Sequence, residues 1–324
     1  MNKNTSKKKT HKEIESLLKD IQKHFKNNNY NYEILTLTTE FLKESYENYT
    51  IWNYRRDILK NGVLLHTEYD KTIIQNIISK ELQFLNELIK KYPKIYNIWS
   101  HRKWCFENAP FPIWEQEKAF LDLILTKDSK NFHAWNYRQY IIPMLEKQNK
   151  TSYVKNELDY TTSVLKDNFS NFSAFHYRTT LIPRFINESS YDYLERKHFF
   201  DQELFLTKSI IYTSPDNCSI WTYHNWLLNS ISKLNDSLLS DDVTVKLNYI
   251  NQEIKMIEDL MELEPNRKYL MNAYINYNIL LSKTSKNLLN IPKKKIIETA
   301  TKLKEIDFLR KGRYDDLILS LEKL

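Results

Sequence analysis

Hydrophobic positions along this chain recur at helical spacing in paired segments. After Glu81, the apolar residues Leu82, Phe84, Leu85, Leu88 and Ile89 follow a helical stripe. A break at Tyr92-Pro93 comes next, and then a second stripe carrying Trp99, Arg102, Cys105 and Phe106 on one face. The arrangement returns after Glu117, Glu157 and Glu203, with breaks at Asp128-Ser129, Asp167-Asn168 and Ser214-Pro215. Proline lacks the N–H that a helix interior needs, and small polar residues compete for backbone hydrogen bonds, so both end helices. Breaks this short make the two helices of each pair pack antiparallel.

The second helix of each pair carries a cassette. It reads NYTIWNYR from Asn48, IYNIWSHR from Ile95, NFHAWNYR from Asn131, NFSAFHYR from Asn171 and NCSIWTYH from Asn217. The anchors Trp52, Trp99, Trp135, Phe175 and Trp221 are separated by 47, 36, 40 and 46 residues. An arginine stands three residues after the first four: Arg55, Arg102, Arg138 and Arg178. Apolar pairs from Ile58-Leu59 to Leu227-Leu228 lie six and seven residues after the anchors. A glutamate precedes four of the anchors by 18 residues, and a worn sixth unit keeps the spacing with Glu253 and Met271. A period of this size predicts an all-α stack of helical hairpins, not one globular core. The stretch from Ile296 to Leu321 closes the array as a cap.

Composition narrows the chemistry. Only two glycines occur, Gly62 and Gly312, which excludes a glycine-rich phosphate loop or dinucleotide turn. The net charge of +7 is concentrated at the start, where residues 1–26 hold eight lysines against three acidic residues. That stretch reads as a flexible, solvated terminus ahead of a single repeat domain over 27–324. The aromatics are locked into repeat positions and do not interleave with the basic run, which disfavours a nucleic-acid stacking platform. Cys105 and Cys218 read as small buried hydrophobes with no disulfide framework. Without a secretory segment or a long apolar span, the expected setting is cytoplasmic.

No self-contained active site is visible. His101 and Cys105 stand four apart on one helix, a spacing that suits two metal ligands. His101, however, fills the slot that holds Tyr54, Tyr137, Tyr177 and Tyr223 in the other units, and nothing completes a tetrahedral site. The anchor aromatics read as packing between repeats. The arginines have two possible roles: internal pairing with a carboxylate of a neighbouring unit, or a partner-facing fork.

These W-x-x-R cassettes resemble those of protein prenyltransferase α-subunits over residues 30 to 320. Leu165 to Pro183, Ser214 to Leu228 and Ile51 to Leu59 resemble the Rab geranylgeranyltransferase (type II) branch, with Phe175 in place of the usual tryptophan. The length is similar to that of the compact, fungal-type form. The resemblance implies a right-handed α–α superhelix, a TPR-like crescent, wrapped around a β-subunit that carries zinc and the isoprenoid pocket. This chain would then hold no metal of its own. The implied activity, in the heterodimer only, is transfer of geranylgeranyl from its diphosphate to C-terminal cysteines of Rab proteins delivered by a Rab escort protein.

The family's P-K-x-Y loop is matched here by Pro93, Lys94, Ile95 and Tyr96. Lys94 and Tyr96 are therefore the expected catalytic side chains at the diphosphate. Asn97, Lys130, Asn131, Phe132 and His133 are the expected substrate or β-subunit rim. Two alternatives differ in function: the α-subunit shared by farnesyltransferase and type I geranylgeranyltransferase, which would need no escort protein, and a non-catalytic TPR-like scaffold. Generic TPR units have a 34-residue period and lack the cassette.

Overall fold

The computed structural model describes residues 9–65, 70–233, 243–285 and 292–322. Among these residues the regular structure is helical, as the periodicity predicts. The chain divides into two compact units, Met1–Thr151 and Ser152–Leu324.

The first unit holds α1 (His11–Lys26), α2 (Tyr32–Glu44), α3 (Tyr49–Ile58), α4 (Lys71–Lys91), α5 (Tyr96–Asn108), α6 (Trp114–Lys127) and α7 (Phe132–Asn149). Helices α2–α3, α4–α5 and α6–α7 form hairpins, and the second helices stack on one another, α3 on α5 and α5 on α7. Part of the stretch expected to be flexible is helical, forming α1. Thr10 and Glu13 form a reciprocal capping box, and Ile21 is buried where α1 packs on α2. Lysines dominate that composition, yet Ile14, Leu17, Leu18, Ile21 and Phe25 recur at helical spacing beneath them. A π-helical turn, Leu59–Val63, follows α3. A Cβ on Gly62 would lie 1.9 Å from the Tyr30 carbonyl oxygen, so only glycine fits that approach.

The second unit holds α8 (Val154–Asp167), α9 (Phe172–Glu188), α10 (Tyr193–Thr213), α11 (Cys218–Lys233), α12 (Val243–Leu263), α13 (Lys268–Ser285), α14 (Lys293–Ile306) and α15 (Lys311–Glu322), with a 3₁₀ turn at Phe308–Arg310. Pairing is again α8–α9, α10–α11 and α12–α13, with α9 on α11 and α11 on α13, and α14–α15 is the terminal pair. Pro143 and Pro183 lie inside α7 and α9, each eight residues after its anchor.

One hydrogen bond fixes each anchor tryptophan. The indole N–H of Trp52, Trp99, Trp135 and Trp221 donates to the carbonyl six residues earlier, those of Tyr46, Pro93, Ser129 and Pro215, at 2.7–2.8 Å. The buried ring thus ties the loop to the helix it enters. Phe175 has no such donor. The equivalent Phe169 carbonyl instead accepts from the Asn217 side chain at 3.1 Å.

The arginines sit beneath this layer and pair internally. Arg55 donates from Nε and Nη2 to both oxygens of Glu81, at 2.9 and 2.7 Å, reaching from one hairpin to the first helix of the next. Its Nη1 reaches back to its own hairpin, onto the Leu35 carbonyl and the hydroxyls of Thr38 and Thr39. Arg178 repeats the arrangement with Glu203, the Leu158 carbonyl, Thr161 and Thr162. Arg102 grips Glu117 with both ends of its fork, and Arg138 bonds Asp122. All four arginines are buried. Each is a strut between helices, and a planar five-donor group suits that role.

The fifth unit has His224 at the arginine position. Its Nε2 lies 3.0 Å from Glu253 Oε2. Lys208 brings its ammonium to the other oxygen of Glu253, at 2.6 Å, from the position that Thr39, Asn86, Asp122 and Thr162 occupy in earlier units. The charge lost with arginine is restored from the neighbouring helix.

Candidate functional site

The loops that enter α5 and α7 meet at the edge of the first unit. Helix α4 ends at Tyr92, whose N–H returns to the Leu88 carbonyl, and Pro93 turns the chain. The Pro93 carbonyl then accepts two hydrogen bonds: Trp99 Nε1 at 2.8 Å and Asn131 Nδ2 at 3.0 Å. Asn131 uses its oxygen to cap α7, accepting from the N–H groups of His133 and Ala134. One buried side chain therefore starts α7 and staples the preceding loop.

Lys94 follows that clamped carbonyl. Its backbone is held while its side chain remains 61% exposed, with Nζ 3.0 Å from Asp128 Oδ2. Around it stand Tyr96 and Phe132, 67% and 62% exposed. The His133 ring lies 4.0 Å from the Phe132 ring and 6.3 Å from the Tyr96 ring, centroid to centroid. Burial lowers the His133 pKa, while its bond to the Lys94 backbone acts the other way. At neutral pH this imidazole is a neutral donor or acceptor beside a cation.

The structure thus gathers Lys94, Tyr96, Phe132 and His133 into one patch. Lys130 is exposed on the same loop, its N–H on Asp128 Oδ1. Asn97 turns away, donating to the Glu47 carbonyl of the preceding hairpin at 2.9 Å. Asn131 is fully buried in its capping role. Two features escaped the sequence reading. Asp128, read only as a helix break, is the counter-charge of Lys94. The position three residues before each anchor is also an exposed aromatic in four units: Tyr49, Tyr96, Phe132 and Phe172, between 53% and 67% exposed. The recurrence of aromatics at that position was available in the sequence. Their exposure was not, because the same spacing also describes core.

His101, weighed as a metal ligand, is fully buried with Nε2 3.1 Å from Glu81 Oε2, in the place where Tyr223 bonds Glu203. Burial lowers its pKa, with Glu81 opposing, so the neutral ring donates from Nε2. Burial also pushes the Cys105 thiol well up. Cys218 corrects the expectation of two buried cysteines: at the first turn of α11 it is exposed. Among the described residues no three His, Cys, Asp or Glu side chains group to hold a metal, and no helix is long and apolar enough to cross a membrane.

Stacked hairpins with buried arginine struts and one basic, aromatic edge define a helical-repeat subunit. Five stretches match the protein prenyltransferase alpha subunit repeat: residues 32–62, 78–109, 114–145, 154–185 and 200–231. The chain is 34% identical over 314 residues to the geranylgeranyl transferase type-2 subunit alpha of Schizosaccharomyces pombe, covering 94% of this chain and 90% of that one. The Candida albicans protein of the same name is 30% identical over 323 residues, covering 90% and 86%. A solved structure, Candida albicans protein geranylgeranyltransferase-I complexed with GGPP, shares the fold at a TM-score of 0.65 and 21% identity, covering 97% of this chain and 92% of that one. The chain belongs to the protein prenyltransferase alpha subunit family. Within that family its curated relatives include the α-subunits of type-2 geranylgeranyl transferases from two yeasts.

Proposed function

We propose that this chain works as the α-subunit of a type-2 geranylgeranyl transferase, active in the cytoplasm only with a β-subunit. The pair transfers geranylgeranyl from its diphosphate to C-terminal cysteines of Rab proteins presented by an escort protein. The observation that carries the reading is the clamped loop: the Pro93 carbonyl fixes the backbone, and Lys94 presents a cation beyond it.

Breaking the carbon–oxygen bond of a prenyl diphosphate loads negative charge onto the leaving oxygens. A lysine held in place stabilises that charge more in the transition state than in the ground state. In the free chain Asp128 occupies Lys94, and water screens both. A β-subunit closing over Tyr96 and Phe132 excludes that water and strengthens the attraction between Lys94 and the diphosphate. Tyr96 and His133 offer further donors at the same edge. In this reading the zinc that the family resemblance implies belongs to the β-subunit.

The test is co-expression with candidate β-subunits, followed by transfer assays on Rab proteins with and without escort protein. Transfer to Rab that depends on the escort protein supports the reading. Efficient prenylation of short CaaX peptides without it favours the shared α-subunit of farnesyltransferase and type I geranylgeranyltransferase. A chain that is stable alone and gives no prenyl transfer with any β-subunit is a scaffold.

A further inference from the structure

In the second unit the exposed position three residues before the anchor changes character. Phe172 occupies it in the fourth repeat, but Cys218 and Lys268 occupy it in the fifth and sixth. The loops that enter α9 and α11 are stitched together, with Asn217 Nδ2 on the Phe169 carbonyl and Ser219 Oγ on the Ser170 carbonyl. Beyond them the edge sinks into a cavity of ≈ 290 Å³ closed by the C-terminal cap. Lys268, Arg310 and Arg313 line it together with Tyr269, Asn272 and Cys218, and its lining contains no carboxylate.

Two of the three cations share one carboxylate. Asp307, buried behind the cavity, accepts from Arg310 at 2.9 Å and from the Tyr314 hydroxyl at 2.9 Å, and lies 3.8 Å from Lys268. The Tyr314 hydroxyl also contacts the Asn272 amide at 3.2 Å. One carboxylate against three cations leaves a net positive recess in which Arg310, Tyr314 and Asn272 are hydrogen-bonded in place and Arg313 stands exposed at the rim. The 3₁₀ turn that supplies Arg310 also exposes Phe308 and Leu309, at 63% and 94%. Fixed positive charge beside exposed apolar side chains fits a protein segment better than a free anion.

We propose that this recess is the socket for an acidic segment of the partner subunit. A carboxylate of that segment enters among Lys268, Arg310 and Arg313, and its apolar neighbours rest on Phe308 and Leu309. The inference rests on the heterodimer reading above and adds where, and by what charge, the partner is gripped in the second unit.

Cys218 is a built-in reporter, because it is exposed at the recess whereas Cys105 is buried. N-ethylmaleimide labelling of the full chain, read by mass spectrometry, is compared alone, with the β-subunit, and with inorganic diphosphate. The socket predicts that the β-subunit protects Cys218 and diphosphate does not. Arg313→Glu should weaken association by about 10- to 100-fold and flatten its salt dependence, and Arg313→Lys should recover most of it. A complex that forms normally while Cys218 labels at the free rate overturns the socket and leaves the heterodimer standing. Protection by diphosphate alone also overturns it, in favour of a small-anion site. Absence of any complex with wild-type chain defeats the heterodimer reading and the socket together.

Discussion

Two cation–carboxylate pairs in the first unit are chemically alike and physically opposite. Arg55 and Glu81 meet at 2.7 Å in the core, whereas Lys94 and Asp128 meet at 3.0 Å in water. Arg55 has every end of its fork engaged. Lys94 has one carboxylate and open surroundings. Water decides the difference: in the core neither partner can leave without stranding a charge, while at the edge the lysine can exchange its partner at little cost. The same repeat therefore builds struts from its inward cations and leaves its outward ones available to a ligand.

The strongest way to break this contrast is to cut a strut. Arg55→Ala leaves the buried Glu81 charge with only the His101 ring beside it and should cost about 3–5 kcal/mol, read by chemical denaturation. A loss below 1 kcal/mol (about the value of an exposed pair) would erase the distinction. Next comes the substitute strut of the fifth unit. Lys208→Ala leaves the buried Glu253 with His224 alone and should cost about 1–3 kcal/mol. An unchanged melting temperature would show that His224 suffices.

Acid sharpens the comparison without mutation. Burial alone would raise the Glu81 pKa, but the Arg55 charge and the His101 bond overcome it and hold it at about 2, against 4.5 ordinarily. A depressed carboxyl pKa contributes stability that is complete above the unfolded value and is lost as pH falls through the folded one. Burial holds His101 below its usual 6.5, so protonation of the unfolded chain adds a loss of the same sign beginning near that value. Melting temperature should thus be level above pH 6.5 and decline toward pH 2. Glu81→Gln should flatten the part below pH 4.5. A profile in which the variant keeps the wild-type slope would contradict the strut.

The smallest expected effect concerns the loop clamp. Trp135→Phe keeps an aromatic ring at the anchor, smaller than the indole, and leaves the Ser129 carbonyl without its indole donor, as Phe175 does naturally for Phe169. It should cost about 1 kcal/mol, measured as a shift in melting temperature.

The helical hairpins were legible in the sequence because the anchor, the arginine and the glutamate keep fixed spacing. Which arginine meets which glutamate was not, since Arg55 and Glu81 belong to different repeats and only the stacking register joins them. The helix at residues 11–26 was hidden by the lysine-rich composition of residues 1–26, although only four of those eight lysines lie in the helix and they face solvent. Cys218 was misread because a small apolar residue at a repeat position looks like core until the position itself proves exposed. At the candidate site the motif pointed to Lys94 and Tyr96. Asp128 was missed because a carboxylate at a helix end looks like ordinary punctuation.

The most direct test of the account is Lys94→Ala in the purified heterodimer, measured as single-turnover transfer at saturating geranylgeranyl diphosphate, with melting temperature and subunit affinity recorded alongside. The account predicts a rate about 10- to 1,000-fold lower, with stability and association unchanged. A wild-type rate, or a loss that tracks weakened association or folding, would contradict it.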